Sequence, residues 1–365
     1  MTLEHLALTE THTLPVTHEG QVHNGKVRSV YWLTADDSRR LIASRNYPVR
    51  MDDRLGVMVT SDRLSAFDVI WTGEDGLNGV PGKGASLNSA SHHWFDLLDT
   101  TGLMGHHVLD APHPLVWIVR RAKPIMVEAV ARQYITGSMW RDYEKGSRTF
   151  CGLTLPDDLK KNQRLLYLLL TPTTKGVLDI PGISKKDDAP MTRKQIEDNY
   201  AALGFERIED VKAFEFAQEV CYDTIAEKLY EIDQLLADTK FEMGYVPAEE
   251  GTGTEMILMD EIATPDSSRY WDREAYAHGN VVENSKEGFR QFLLRTLDKD
   301  VLLNPDRMPE RRQLAASYRV PVAEMMKVAE TYAAMTQKIT GKPLPRIENA
   351  KAEITDALAG YGLVA

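Results

Sequence analysis

The sequence has few cysteines, no membrane-length apolar run and a shortage of positive charge. Its two cysteines, Cys151 and Cys221, fit neither a disulfide framework nor the spacing of a metal site. We expect both to be free thiols, which suits a reducing compartment. No apolar run approaches the roughly 18 residues of a membrane span, and the acidic first segment lacks the basic start and apolar core of a signal peptide. These absences predict a cytoplasmic protein with no membrane partner.

Acidic residues outnumber basic ones, 54 against 43, which gives a formal net charge of −11. A surface of that sign repels phosphate backbones, so we expect no nucleic-acid partner. Any phosphate site must then be a local cluster of lysines and arginines. The stretch "GVPGKGAS" at 79–86 does not supply one as a Walker loop, because Leu77 stands where the first glycine is needed and Gly84 where the hydroxyl is needed.

A chain of 365 residues exceeds the size at which one hydrophobic core stops growing, so two lobes are expected. Short β-rich runs at 26–33, 55–60, 115–120 and 126–132 indicate strands in the first part. Apolar residues at helical spacing predict two helices, one carrying Phe214, Ala217, Cys221, Ile225, Leu229, Ile232 and Leu236, the other Met325, Val328, Tyr332, Met335 and Ile339.

These patterns predict an α+β fold with three parts. A β-rich lobe spans 1–124, a mixed second lobe spans 125–300, and C-terminal helices at 301–365 pack on the second lobe. The cleft between the lobes is the expected binding site. Residues 1–20 carry no motif that points to a function.

An acidic segment, "DEIATPDSSRYWDR" at 260–273, follows the apolar run 256–259. A solvated turn explains its Pro, Asp and Ser residues but not the carboxylate pair at the end of a strand. A hairpin that joins 238–246 to this strand through a loop at 247–255 would bring further acids nearby.

One register of that hairpin is informative. If Val246 pairs with Met256, then Glu242 lies opposite Asp260, although a long loop allows other registers. Two opposed carboxylates destabilise a sheet, and a divalent cation reverses that effect. Sites with few carboxylates suit Mg²⁺, which retains waters and binds substrate phosphates. Glu242 and Asp260 are therefore predicted to hold a nucleotide-bound magnesium ion; ordinary surface acids are the alternative.

Lysines and arginines suggest where phosphates could bind. Lys26 and Arg28 are two apart on a predicted strand and share a face, next to an Asn-Gly turn. They could clamp a polyphosphate, or they could lie on a solvated strand face. Ser138 is near a predicted helix start, where free amides favour anions, and Lys175 follows several hydroxyl residues.

Eight segments in order resemble one family. They are "GKVRSVY" (25–31), "SDRLSAFD" (61–68), "PGKGASLNSASHHWF" (81–95), "VEAVARQYITGSMWRDY" (127–143), "LTPTTKG" (170–176), "DTKFEMG" (238–244), "DEIATPDSSRYW" (260–271) and "KEGFRQFL" (286–293). Together they resemble the SAICAR synthetase (phosphoribosylaminoimidazole-succinocarboxamide synthase) family. "ITGKPLP" (339–345) is similar to the tail of its longer, yeast-like members.

The resemblance implies an ATP-dependent ligase of purine biosynthesis. Such an enzyme joins carboxyaminoimidazole ribonucleotide (CAIR) to L-aspartate through an acyl phosphate and releases ADP and phosphate. It also implies a kinase-like or ATP-grasp-like nucleotide lobe and a single activity. Two alternatives stay open: a small-molecule phosphotransferase that uses the same Mg-ATP site, and a non-catalytic nucleotide sensor.

The resemblance also assigns site residues. For ATP they are Lys26, Arg28, Arg120, Lys123 and Pro124; for CAIR they are Arg132, Ser138, Asp238, Lys240, Ser268 and Arg269; for magnesium they are Glu242 and Asp260. Lys83, Lys175 and Arg290 fall in matching motifs as contacts to a substrate or to aspartate. The aspartate site and the oligomeric state are left open.

Overall fold

Two antiparallel sheets dominate the fold. The structure is a computed structural model, and it describes residues 3–249 and 251–364. The strands are β1 (His23–Asn24), β2 (Arg28–Trp32), β3 (Leu55–Thr60), β4 (Leu64–Ala66), β5 (Val69–Trp71), β6 (Val108–His113), β7 (Val116–Arg120), β8 (Lys123–Pro124), β9 (Val127–Tyr134), β10 (Thr149–Phe150), β11 (Leu153–Thr154), β12 (Arg164–Leu170), β13 (Thr173–Thr174), β14 (Gln234–Pro247), β15 (Thr254–Met259) and β16 (Arg269–Asp272).

The helices are α1 (Ala35–Arg45), α2 (Lys83–Thr100), α3 (Gly137–Glu144), α4 (Arg193–Asp198), α5 (Glu209–Glu231), α6 (Arg273–Ala277), α7 (Glu287–Thr296), α8 (Lys299–Leu303), α9 (Met308–Ser317), α10 (Val322–Thr340) and α11 (Ala350–Ala359). Mixed helices and sheets confirm the predicted α+β class. Among the described residues no helix is long and apolar enough to cross a membrane. Both cysteines are free, as expected.

The first sheet has the strand order β1-β2-β3-β7-β6 and is apolar on both faces. Tyr31, Val57 and Ile118 lie opposite one another and share one face, because side chains alternate along a strand. Val30 and Trp117 are on the other face. That second face belongs to the largest core cluster, which also contains side chains of α2 and of the second lobe. The core therefore runs across the predicted boundary at residue 124.

The two ends of the chain cover the outer face of this sheet. They contribute Leu8, Leu14, Val16, Ile354, Leu358 and Leu363 to one core cluster with Tyr31 and Val57. Val16 pairs with Val364 in an antiparallel bridge, and the Thr17 amide donates to the Leu363 carbonyl at 2.8 Å. Helix α11 thus packs on the first lobe, not on the second as the sequence led us to expect. The reason is that the outer sheet face is apolar and needs a cover, to which Leu41 and Ile42 of α1 also contribute.

The second sheet has the order β12-β9-β14-β15, with β8, β13 and β16 as short additions. Strand β14 is its longest and pairs with β8, β9, β15 and β16. Helix α5 packs against β14. The apolar stripe predicted one helix through Leu236, but α5 ends at Glu231 and Leu236 is already in β14. Asp233, with φ of 59°, makes the turn between them.

The β14–β15 hairpin has a register one residue away from the predicted one. Glu242 pairs with Met259, and Val246 pairs with Glu255, so Glu242 is not directly opposite Asp260. The strands extend further into the loop than expected, to Pro247 and Thr254. Asp260 lies beyond the end of β15 with φ of 60°, so the alternation of the strand no longer fixes the direction of its side chain.

Helix α10 follows the predicted stripe and ends at Gly341 with φ of 71°, a left-handed cap. All five predicted stripe residues are buried, and they pack against α2 and α7. The stripe therefore packs in the core. In addition, the Tyr332 hydroxyl has a polar partner, Asp266.

His107 gives a prediction for acid stability. It is fully buried between Phe95 and Trp117, and neither ring nitrogen has a hydrogen-bond partner among the described residues. Burial lowers its pKa to about 3. The folded pKa lies below the unfolded value of about 6.5, so the unfolded state binds the extra proton and stability falls as pH drops below 6.5. At pH 5 this effect amounts to about 2 kcal/mol of unfolding free energy.

Replacement of His107 by Leu removes the titration and two unsatisfied nitrogens. Urea denaturation at pH 7 and pH 5 should therefore show a smaller acid loss for His107→Leu than for the unaltered protein. His5→Leu, at an exposed position, serves as the control and should keep the full loss. An equal acid loss in His107→Leu would show that other groups cause it.

Candidate active site

One face of strand β14 carries three charged side chains in a row. Asp238, Lys240 and Glu242 are two residues apart, so all three point to the same side of the sheet. The strand is held on both sides here, by β9 at 238–241 and by β15 from Glu242 onward. At about 3.3 Å per residue, the row spans about 13 Å. It connects two clusters of charge, one at each end.

Arginines from three elements converge at the Asp238 end. The carboxylate of Asp238 accepts from Arg132 Nη1 at 3.2 Å and from Arg269 Nη1 at 2.5 Å. Arg269 Nη2 also donates to Glu287 Oε2 at 3.0 Å, and Arg290 Nη1 donates to the same oxygen at 3.3 Å. Two carboxylates therefore hold three arginines, and the cluster keeps an excess of positive charge.

The ionisation of this cluster is set by burial and by its own ion pairs. Burial alone would raise the pKa of Glu287, but Arg269 and Arg290 outweigh it and lower that pKa to about 2. Burial would likewise lower the pKa of Arg269, but Asp238 and Glu287 reverse the sign and raise it. Glu287 and Arg269 therefore stay charged near neutral pH.

Helix α3 points its N-terminus at these arginines. Its N-cap residue Thr136 makes no side-chain cap, so the first amides are left for other acceptors. Gly137 has φ of 59°, and a Cβ there would lie 2.6 Å from Arg269 Nη2. Ser138 follows, exposed, and Arg141 approaches Glu287 and Arg269 from the same helix. Uncapped amides beside guanidinium groups form a site suited to a phosphate ester.

Carboxylates and cations of a second cluster surround Glu242 at the other end. Glu242 is buried and contacts the ammonium groups of Lys175 and, at 3.4 Å, Lys240. Lys240 also donates to Glu128 Oε1 at 2.6 Å. Burial would lower the pKa of Lys240, but Glu242 and Glu128 raise it instead. Lys240 therefore stays an ammonium ion near neutral pH.

Arg28 approaches the end of β15 from the first sheet. Its guanidinium lies 3.5 Å from Asp260 Oδ1 and 3.2 Å from Glu261 Oε2. Arg28 Nε and Nη2 have no hydrogen-bond partner in the described part of the chain. Nη2 is nevertheless held in the ion pair with Glu261, so Nε is the buried donor that remains for an anion. Arg28 also joins the first sheet to the acid pair, across the two lobes.

Helix α2 fixes the backbone that follows Asp260. The Ser91 hydroxyl accepts from the Ile262 amide at 3.0 Å, and Trp94 Nε1 donates to the Ala263 carbonyl at 3.0 Å. Both side chains come from the motif "ASLNSASHHWF". The acid pair therefore sits on a segment that α2 holds in place, which explains why polar residues follow a buried strand here.

The donor set at this end fits a hard cation with few protein ligands. No group of three or more His, Cys, Asp or Glu that could hold a metal occurs in the described ranges 3–249 and 251–364. Glu242 and Asp260 instead offer two carboxylates, and both act on the charge of Lys240. Two carboxylates plus water and substrate oxygens are a usual magnesium arrangement.

Comparison with known proteins decides the family. A family model described as SAICAR synthetase matches residues 43–301, well over half of the chain. The chain belongs to the SAICAR synthetase family. A protein of Shewanella baltica (strain OS185) named phosphoribosylaminoimidazole-succinocarboxamide synthase is 53% identical over 98% of each chain, and one from Shewanella oneidensis with the same name is 52% identical over 98% of each.

Solved structures of SAICAR synthetases share the fold. A Saccharomyces cerevisiae SAICAR-synthase in complex with SAICAR covers 93% of this chain and 100% of its own, with 25% identity and a TM-score of 0.65. A SAICAR synthetase (Type-2) in complex with ADP covers 90% of this chain and 100% of its own, with 18% identity and a TM-score of 0.55, and thus shows the fold alone.

Four of the ATP residues suggested by the SAICAR synthetase resemblance make no side-chain contact with Asp238, Lys240 or Glu242 among the described ion pairs and hydrogen bonds. Lys26 precedes β2, so it does not share a strand face with Arg28; it is exposed and bonds to Asp68 at 2.5 Å. Lys123 and Pro124 form β8, which pairs with Gly244 and Tyr245. Strand β8 places their backbone groups beside β14, and the side chain of Lys123 is exposed.

Arg120 has structural partners. Its guanidinium is buried and bonds to Asp53 at 3.0 Å, to Glu255 at 2.8 Å and to the Pro247 carbonyl at 2.6 Å. It therefore ties the hairpin β14–β15 to the first lobe. These bonds use at least three of its five N–H donors.

Two further SAICAR synthetase candidates, Ser268 and Lys83, are buried. Ser268 is buried, and its hydroxyl is 2.7 Å from that of Thr239. Lys83, the first residue of α2, is completely buried and does not face solvent. Sequence reasoning missed Glu128, Arg141 and Glu287, although all three lie inside the quoted motifs; a search for charges in those motifs would have found them.

Proposed function

We propose that this chain joins CAIR to L-aspartate at the expense of ATP, forming SAICAR, ADP and phosphate in purine biosynthesis. The observation that carries the proposal is the row of Asp238, Lys240 and Glu242 on β14. It connects the arginine cluster, which suits a phosphate ester, to the carboxylates of Glu242 and Asp260, which suit Mg-ATP. Family membership and the relatives' names support this reaction, and they do not favour the phosphotransferase alternative. The yeast relative solved with SAICAR supports the same product.

The geometry suggests how the substrates lie. The 5′-phosphate of CAIR binds the pocket of Arg132, Arg269 and the α3 N-terminus. Its carboxylate then lies along the row near Lys240, whose permanent charge orients an anion and makes it unsuited to accept a proton. The polyphosphate of ATP binds near Arg28, whose Nε has no hydrogen-bond partner among the described residues. About 13 Å of strand separates the two pockets, which is the scale of a ribonucleotide.

The reaction follows from bringing these groups together. A carboxylate oxygen of CAIR attacks the γ-phosphorus of ATP, ADP leaves, and an acyl phosphate forms. The amine of L-aspartate then attacks the acyl carbon, loses a proton and expels phosphate, which completes the amide. The protein supplies positioning and fixed positive charge rather than a covalent nucleophile.

Glu242 and Asp260 would hold magnesium with the nucleotide. The ion, when bound, would neutralise negative charge on the phosphates. In this chain Lys175 and Lys240 contact Glu242, so these lysines must give up part of that contact to the ion. We also propose a cytoplasmic location, which the two free cysteines favour.

The experiment measures ADP release with Mg-ATP and CAIR, with and without L-aspartate, followed by mass spectrometry of the product. Succinate, which lacks the amine, is the matched control for aspartate. ADP release that requires all three substrates, with a product of succinocarboxamide mass, is the expected result. Release without aspartate and with a phosphorylated product would establish the phosphotransferase, and no turnover would leave the nucleotide sensor.

Gly137→Ala tests the phosphate-ester pocket. The added Cβ would displace the guanidinium of Arg269, and a misplacement of this size lowers kcat/KM for CAIR by about ten- to a hundredfold. Gly146→Ala is the control, because Gly146 also has a positive φ, of 104°, but its Cβ would contact nothing within 4 Å. Both variants carry backbone strain. Equal activity losses would attribute the effect to strain alone.

A further inference from the structure

The turn between the acid pair and Arg269 is anchored through one buried carboxylate, that of Asp266. The turn is closed by the Ser268 amide, which donates to the Thr264 carbonyl at 2.9 Å. Ser268 and Arg269 follow directly, so the position of the turn sets the position of both. Asp266 is buried, and its side chain points into the protein rather than toward solvent.

Three side chains from three helices bind this carboxylate. Tyr332 of α10 donates its hydroxyl to Oδ1 at 2.5 Å. Lys286, just before α7, lies 2.9 Å from Oδ2, and Lys83, at the start of α2, lies 3.3 Å from the same oxygen. All four groups are buried. Both oxygens of Asp266 are thus occupied, and Tyr332 is the partner of Oδ1 among the described residues.

The charges of this cluster favour a fixed geometry. Burial alone would raise the pKa of Asp266, but Lys286 and Lys83 lower it. Burial lowers the pKa of Lys286 to about 8, with Asp266 acting against that shift. A buried carboxylate between two ammonium groups is costly to disturb, because loss of one partner leaves charge uncompensated. The cluster therefore resists displacement of the turn.

The cluster is connected to the arginine pocket by two routes. Through the turn, Asp266 is three residues from Arg269. Through α7, Lys286 precedes Glu287, which bonds to Arg269 and Arg290; the Lys286 amide also donates to the Pro265 carbonyl at 2.9 Å. A shift of Asp266 would thus move the backbone of Arg269. It would also move Glu287, the carboxylate that binds the Arg269 guanidinium.

Helix α10 lies outside residues 43–301, the part of the chain that the family model matches. Its polar contacts are few and specific. Besides the Tyr332 bond, Thr336 Oγ1 lies 2.6 Å from Ser86 Oγ on α2. Tyr332 and Thr336 are thus one helical turn apart on α10, and both carry a buried hydroxyl. The Tyr332 hydroxyl contacts Asp266 in the turn at 264–268, whereas the Thr336 hydroxyl contacts only α2.

We propose that Tyr332 is a positioning residue for the ribonucleotide: its hydroxyl holds Asp266 and thereby the turn that presents Ser268 and Arg269. The C-terminal helix α10 then belongs to the substrate site although it touches no substrate. This inference rests on the proposed ligase function. It predicts an effect on the ribonucleotide that is separate from ATP.

Tyr332→Phe removes one oxygen and keeps the ring that fills the core. Its KM for CAIR and its Kd for SAICAR, measured by calorimetry, should rise about tenfold, since a hydrogen bond to a charged group is worth about that factor. Its KM for ATP and Kd for ADP should stay unchanged. Thr336→Val, the matched control, also removes one buried hydroxyl from α10 and should leave all four constants unchanged, while both variants lose some thermal stability.

Each other outcome overturns the inference. An unchanged CAIR KM in Tyr332→Phe would mean that the hydroxyl does not position the site. Parallel loss of ADP and SAICAR binding would mean a global defect, as would an equal rise in CAIR KM for Thr336→Val. Absence of SAICAR formation by the unaltered protein would instead contradict the proposed ligase function, which separates the two failures.

Discussion

Glu242→Gln should lower kcat/KM by about a hundred- to a thousandfold at a fixed magnesium concentration and raise the concentration of magnesium needed for half-maximal rate. The substitution keeps the size of the side chain but removes one of the two carboxylates, Glu242 and Asp260, that are predicted to hold magnesium. It also leaves Lys175 and Lys240 without their shared partner. The expected size follows from losing one preorganised electrostatic group in a partly buried site. Initial rates over a magnesium series measure both effects.

Glu255→Gln is the control for this experiment. Glu255 is on the same hairpin, opposite Val246, and binds Arg120 rather than the acid pair. Its substitution should reduce stability slightly and leave the magnesium dependence unchanged. If Glu242→Gln has a normal magnesium dependence, or if both variants shift it equally, Glu242 is not a ligand.

Arg269→Lys should lower kcat/KM for CAIR by about a hundredfold, with most of the loss in KM. Lysine keeps the charge, so Asp238 and Glu287 retain a cation, but it cannot bond to both carboxylates and a phosphate with a planar fork. Because uniform binding is lost, KM rises more than kcat falls. Steady-state kinetics with CAIR varied and ATP saturating give the separation.

Arg273→Lys provides the comparison. Arg273 is four residues further along and also bonds to an aspartate, Asp233, while its guanidinium lies over the ring of Tyr230. It is remote from the arginine pocket. We expect the KM of Arg273→Lys for CAIR to match that of the unaltered protein. A hundredfold loss there as well, or none in Arg269→Lys, would contradict the assignment of the phosphate-ester pocket.

Local patterns predicted the parts of the site that one strand or one motif carries. The common face of Asp238, Lys240 and Glu242 was not predicted, although alternation along a strand depends only on spacing. The strand at 55–60 and the stripe of α10 were correct, since both are long and regular patterns. The motif order supplied Arg132 and Arg269, which the structure brings together on Asp238.

Contacts between distant segments could not be predicted in the same way. The hairpin register depends on where the loop closes, and the Ala248 amide donates to the Gly253 carbonyl at 3.0 Å, which shortens that loop. A helical period showed that Tyr332 is buried but not that its hydroxyl reaches Asp266. The position of α11 likewise depends on the outer face of a sheet some 300 residues earlier in the chain.

The pairing of the two chain ends has a consequence for biosynthesis. A ribosome makes the first sheet early, but α11 and Leu363, which cover its outer face, emerge last. Until then Tyr31, Val57 and Ile118 present an apolar surface of the kind that chaperones bind and that promotes aggregation. The first lobe therefore completes its core only after residues 350–363 have been made. A polypeptide that terminates between residues 294 and 349 would carry all eight motifs and still lack this cover of its first sheet.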